Sequence, residues 1–387
     1  MRTVLAAALV PLLASDPAPS GDPGYVLHEW GTFTTVVGSD GVLLEGLSYE
    51  DHALPDFVHQ ARTSRPGFAG VRGKMETPVI YVYSDREREL RLRVGFQPGL
   101  LTQWYPQVAE LYPPVGGEAP LRGDVPLRGG LLDWGVLRVL APGDGLAQLP
   151  AVGAAHVWEH ARAVDANVLE RPATGEHERF LFYRGLGSFA LPLAVRADPD
   201  RRLQLVNVGD EPIPGAVVLA RRGAELRASF LPALAPDTPV QVKECDLAPI
   251  EPGALMARTA QLLVAQGLYP REAEAMVNTW QHSYFEVEGL RVLYPLPRAQ
   301  TDWLLPLYVA PPPRESVRVL VGRTDVLTNE EEQRALALAP RLTTAEEARS
   351  ELGRFAPAVL RRLETLAREG RERDHVRELR ELVERTF

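Results

Sequence analysis

Residues 25–242 carry short β-branched and aromatic runs separated by Gly, Pro and Asp, the pattern of an antiparallel sandwich or barrel. The runs predict strands at 25–37, 78–83, 89–96, 132–140, 179–183, 189–195, 202–208, 215–220 and 225–231. Residues 89–94, Glu-Leu-Arg-Leu-Arg-Val, alternate strictly, so this strand is expected to turn one face to water. The stretches 113–130 and 142–150, dense in Gly and Pro, read as surface loops, and one helical insertion is expected near 154–169.

After Cys245 the period changes. Pro252 opens a run with Leu255, Met256, Ala260, Leu263 and Val264 at helical spacing, closed by Gly267, and Pro270 opens a second run to about residue 285. Strands follow at 290–296 and 316–321, and from Thr328 the chain reads as helix, with Leu352, Phe355, Val359, Leu363 and Leu366 stepping by three or four, then Val376, Leu379 and Val383. The predicted class is α+β, with an antiparallel β-sandwich-like N-terminal two-thirds and a helical C-terminal third. Its expected parts are a leader and polar tail (1–24), a β-rich region (25–245) and a mostly helical region with two strands (246–387) packed on it without a flexible linker.

Composition adds constraints to this outline. A net charge of -9 argues against a protein that neutralises a nucleic-acid backbone. Met1 and Arg2, the apolar run 3–14 and the polar, Pro-rich stretch 15–24 have the form of a secretory signal peptide, which predicts export to the periplasm or beyond. No later stretch reaches the roughly 18 uninterrupted apolar residues of a membrane span. The single cysteine, Cys245, excludes an intramolecular disulfide and is expected to be a small buried hydrophobe.

His28-Glu29-Trp30-Gly31-Thr32-Phe33-Thr34 resembles the opening motif of a family of uncharacterised exported bacterial proteins. Two more blocks fit the same resemblance: Met75-Glu76-Thr77-Pro78-Val79-Ile80-Tyr81 with Trp104-Tyr105-Pro106 downstream, and the block from Val319 to Thr328 containing Gly322-Arg323-Thr324-Asp325. The resemblance spans nearly the whole chain after the leader. It implies export and carries no reaction with it.

Gly-x-Ser-x-Gly, Walker and EF-hand signatures are missing from the sequence. The sharpest chemical string is His156-Val157-Trp158-Glu159-His160, with the order of the inverted zinc-hydrolase motif. On one helix face, His156 and His160 can share a zinc ion while Glu159 activates its water, with Glu244, Asp165 or another histidine completing the set. The string resembles the zinc helix of pitrilysin-type peptidases, but the window where those enzymes carry their downstream glutamate holds Ala235, Pro236 and Asp237. The competing reading is an ordinary amphipathic helix. A second candidate metal set is His28, Glu29, Asp51, His52, Asp56 and His59, brought to one end of a sandwich; scattered polar residues near turns are the alternative.

Six tryptophans allow a platform for a protein or glycan ligand, although most are expected in the core. Two functional classes follow: a non-catalytic exported binding or scaffold protein of the bacterial envelope, needing no cofactor, and a zinc-dependent hydrolase built on the His-x-x-Glu-His string.

Overall fold

The computed structural model describes residues 24–47, 53–61, 70–114, 127–153 and 156–386. The predicted signal peptide falls outside this set, as do Asp51 and His52.

The strands, in chain order, are β1 (Val26–Val37), β2 (His59–Gln60), β3 (Gly73–Tyr83), β4 (Arg88–Phe96), β5 (Gly99–Tyr105), β6 (Glu110–Tyr112) and β7 (Gly130–Val139). Helix α1 (Val157–Arg162) precedes β8 (Leu169–Arg171), β9 (Glu176–Glu178), β10 (Leu181–Gly187), β11 (Leu193–Ala197), β12 (Arg202–Asn207), β13 (Ala216–Arg222), β14 (Glu225–Leu231), β15 (Val240–Lys243) and β16 (Ala248–Pro249). Then come α2 (Pro252–Ala265), α3 (Pro270–Trp280), β17 (Gly289–Pro295), α4 (Arg298–Leu304), β18 (Leu307–Ala310), β19 (Glu315–Val326), α5 (Asn329–Leu338), α6 (Ala345–Leu352), α7 (Ala356–Leu366) and α8 (Arg371–Thr386).

The fold is α+β and sandwich-like. Its main sheet has ten strands in the order β16-β14-β13-β17-β19-β1-β3-β10-β5-β2, beside a six-stranded sheet (β18-β4-β7-β8-β9, with β6 on β7) and a three-stranded one (β11-β12-β15). Every pairing between these strands is antiparallel except β1 with β19, which run parallel over their full length from Val26↔Glu315 to Val37↔Val326. The two strands read after residue 246 therefore lie in the middle of the main sheet, and the sheet itself joins the two parts of the chain.

Strand alternation divides the apolar residues between the two faces of that sheet. Leu27, Phe33, Ile80, Val82 and Val292 pack with Leu92, Val94, Phe96 and Trp134 of the six-stranded sheet. Trp30, Val79, Tyr81, Val217, Leu219 and Leu293 face the other way, against Trp158 of α1, Leu255 and Leu263 of α2, and Met276 and Trp280 of α3. A third apolar cluster, including Ala335, Ala348, Leu360, Leu363, Val376, Leu379 and Val383, belongs to α5–α8 alone. No helix among the described residues is long and apolar enough to cross a membrane.

Local chemistry sets the element ends. Pro252 and Pro270 stand in the first turns of α2 and α3, where a missing N–H costs nothing. Thr328 and Thr344 open α5 and α6 with reciprocal capping boxes to Glu331 and Glu347. Where helix was expected over 154–169, only Val157–Arg162 is helical. Beyond it, Asn167 is held beside β3: its N–H donates to Val82 O, its side chain accepts from Ser84 N, and its amide donates to Ser84 O and Leu140 O, so the segment is drawn toward the sheet. The second helix of the hairpin likewise ends at Trp280, and a π-turn, Gln281–Glu286, takes over.

Cys245 is exposed, contrary to the sequence expectation. It sits in a one-turn 3-10 helix, Glu244–Asp246, where Glu244 takes the inward position and pairs with Arg222 at 2.9 Å. Of the six tryptophans only Trp303, at 56 % exposure, is in solvent.

Candidate functional site: a buried polar seam in the central strands

The three motif blocks become three adjacent strands, β3, β1 and β19, at the centre of the main sheet. Each carries charged residues at positions with no access to water, and the structure pairs them with one another or with residues far away in sequence.

His28 and Glu29 are consecutive on β1 and therefore face opposite sides of the sheet. On the helical side, His28 Nδ1 lies 2.7 Å from Glu272 Oε2 of α3. Tyr83 Oη donates to Glu272 Oε1 at 2.7 Å, the Tyr269 N–H donates to Glu272 Oε2 at 2.8 Å, and the Tyr269 ring lies over His28 at 4.3 Å. Burial, reinforced by Glu272, pushes the Tyr83 hydroxyl far above its ordinary range, so it stays a donor. On the other side, Glu29 accepts from Tyr183 Oη and from Arg318 Nε, and Arg318 also donates to Asp302 at 2.7 Å. Glu29 and Arg318 face each other directly in the parallel register.

One turn further along β1, Glu76 of β3 collects Thr34 Oγ1 at 2.6 Å, Tyr284 Oη at 2.9 Å, Arg354 Nη2 at 2.5 Å and Lys74 Nζ at 3.4 Å. Burial alone would raise the Glu76 carboxyl, yet Arg354, Lys74 and Arg323 hold it well below the usual carboxylate range. Next to it, Arg323 and Arg291 share Asp325, at 2.5 and 2.9 Å. Burial pulls Arg291 down to about 10, against the opposing pull of Asp325, and it remains a cation at neutral pH. These guanidiniums explain the π-turn: Arg323 donates to Ser283 O at 3.0 Å and Arg291 to Tyr284 O at 2.6 Å, satisfying carbonyls that the widened helix end leaves unpaired.

The β1–β3 pairing is irregular between Trp30 and Thr32, and opposite that break Thr77 adopts φ 52, a conformation costly for a β-branched residue. The neighbouring Pro78 approaches so closely that a Cβ on Gly31 would lie 2.8 Å from its Cα. Two of the motif blocks are thus locked together by a glycine and a strained threonine.

The metal candidates are placed otherwise. His156 is the N-cap of α1 and lies before its first turn, and both its ring nitrogens are engaged: Nδ1 accepts from Trp158 N at 3.1 Å and Nε2 meets Ala53 O at 3.0 Å. Glu159 pairs with Arg162 at 3.0 Å; Arg162 in turn holds the fully buried Glu178 at 2.7 Å, which also accepts from Trp158 Nε1. Asp165 pairs with Arg271 and Glu244 with Arg222. His59, on the edge strand β2, lies four strands from β1, about 19 Å at the usual spacing. Its Nε2 lies 2.6 Å from Glu176, and Asp56 is exposed. Among the described residues no group of three or more His, Cys, Asp or Glu is placed to hold a metal ion.

Sequence reasoning missed Lys74, Glu178, Glu272, Arg291, Asp325 and Arg354. A signal existed for Arg291, which interrupts the otherwise apolar run 290–296 that reads as strand. None existed for Glu272 or Arg354, whose partners are 244 and 278 residues away.

No family model and no curated protein matches this chain. Among solved structures it is similar to the Fcho1 mu homology domain of Danio rerio with bound Eps15 peptide, at 9 % identity and TM-score 0.31, covering 80 % of this chain and 97 % of that one. It is similar too to the yeast delta-COP-I mu-homology domain complexed with the Dsl1 WxWxV peptide, at 7 % identity and TM-score 0.26, covering 79 % and 96 %. Likeness at this level carries no argument about what the present chain does.

Proposed function

We propose that this chain is a non-catalytic exported protein that binds or scaffolds a protein or glycan partner in the bacterial envelope. The observation that carries the reading is the fate of the motif side chains. His28, Glu29, Glu76, Arg323 and Asp325 are spent on one another and on buried partners, among them Arg318 just ahead of the third block, which suits a rigid framework better than turnover. Fold alone does not decide function, so the reading rests on these residues. The zinc-hydrolase alternative requires His156 to free one ring nitrogen from its present contact and a third ligand to move in.

Elemental analysis of the protein purified without chelators tests the choice. Zinc far below one equivalent, unchanged by the double substitution His156→Ala/His160→Ala, is the expected result. One equivalent of zinc, lost in that double variant together with a hydrolytic activity, would replace the binding reading with the enzyme one.

A further inference from the structure

We propose that helices α5–α8 form a clasp that leaves the main sheet as one folded body, and that the Glu76–Arg354 pair is its catch. The four helices have an apolar cluster of their own. Ala358 is their one fully buried contribution to the core of the sheets, with Leu327 and Phe355 partly buried at the seam.

The remainder of the seam is polar. Glu332 of α5 accepts from Ser39 N at 3.0 Å and Ser39 Oγ at 2.8 Å, and Arg362 of α7 reaches Asp40 at 2.9 Å. Glu331 pairs with Arg222 at 2.5 Å, and Glu330 with Arg201. The Arg222 and Arg201 pairs lie toward the rim, whereas Ser39 and Glu332 are themselves buried. Arg354 is buried as well: its side chain is 8 % exposed, and it passes Phe355, 4.7 Å from the ring centre, to end on Glu76 of β3.

Glu76 is faced by Lys74 on its own strand, Thr34 on β1, Arg323 on β19, Tyr284 on the π-turn and Arg354 on the clasp, with Arg291 and Asp325 in the next layer. Its folded pKa is depressed, so its contribution is complete above the unfolded value of 4.5 and disappears as pH falls through the folded value. Neutralising Glu76 removes the ion pair that Arg354 makes with β3, while Asp325 still holds Arg291 and Arg323. The clasp, not the sheet, is the part that loses a buried tie.

Hydrogen exchange of the full chain at about pH 7 tests this in Glu76→Gln and, from the opposite side of the catch, Arg354→Gln. Amides of residues 329–386 should exchange at least about tenfold faster in both variants, while those of β1 and β19 keep wild-type protection. Clasp and central strands accelerating together would overturn the proposal, because the helices would then not be a separate body. Unchanged protection of 329–386 in both variants would overturn the catch. In the wild type, protection of 329–386 should fall before that of β1 as pH drops below 4.5, and simultaneous loss would also count against it.

Discussion

Replacing Arg318 by Met should destabilise the protein by about 3–5 kcal/mol, because it leaves the carboxylate of Glu29, 0 % exposed, with Tyr183 as its remaining partner. Glu29→Leu should cost a similar amount for the mirror reason, a guanidinium with 1 % side-chain exposure deprived of its main counter-charge. The contact from Arg318 to Asp302 adds little, since that carboxylate is 47 % exposed and screened by water. Both costs arise from an uncompensated buried charge, not from the net worth of the pair. The double variant Glu29→Leu/Arg318→Met should therefore recover most of the loss. Equilibrium urea unfolding of the four proteins closes the cycle, with coincident fluorescence and circular dichroism transitions as the check on two-state behaviour. Single variants that each cost less than about 1 kcal/mol would mean the site admits water, and the seam would not be the rigid framework described here.

Much of the architecture was legible because it depends on period and punctuation. The strands at 26–37, 88–96 and 225–231 follow from β-branched runs between turn residues, and the hairpin of α2 and α3 follows from two prolines and a glycine in the right places. What escaped depends on partners distant in sequence. His28-Glu29 read as two ligands of one metal, yet a two-residue period sends them to opposite faces, and knowing that β1 is a central strand would have forbidden the pairing. His156 and His160 have the spacing of one helical turn, but that argument needs both to be inside the helix, and His156 caps it instead. The parallel pairing of β1 with β19 brings Glu29 opposite Arg318 across 289 residues, which no local pattern announces. Cys245 shows the converse failure: burial statistics for cysteine gave way to a one-turn helix in which the glutamate beside it had a stronger claim to the interior.

A glycine scan should separate the positions where absence of a side chain is a requirement from those where it is not, and Gly31 should be among the costly ones. Its missing Cβ would meet Pro78 Cα at 2.8 Å, Leu320 Cδ1 at 3.0 Å and Pro78 Cβ at 3.1 Å. The leucine can turn aside, but Pro78 belongs to the backbone of the adjacent strand. Its position is set by the left-handed Thr77 before it and by pairing on both sides of the break, Trp30↔Val79 and Thr32↔Glu76. Relief would require β1 and β3 to separate where Trp30 is buried on one side and Glu76 is pinned to Arg354 on the other. Gly31→Ala is therefore expected to cost about 2–3 kcal/mol, the upper part of the range for an overpacked core. Gly253 provides the contrast. It lies in the first turn of α2 with open space where a Cβ would go, so Gly253→Ala should be neutral or stabilise by up to about 1 kcal/mol through helix propensity and a less flexible unfolded chain. The two substitutions add the same methyl group, and only the close approach of Pro78 gives them opposite signs. Urea midpoints shifting the same way and by the same amount would show that the β1–β3 break has slack to absorb a side chain, and the requirement for glycine in the His28–Thr34 block would lose its physical basis.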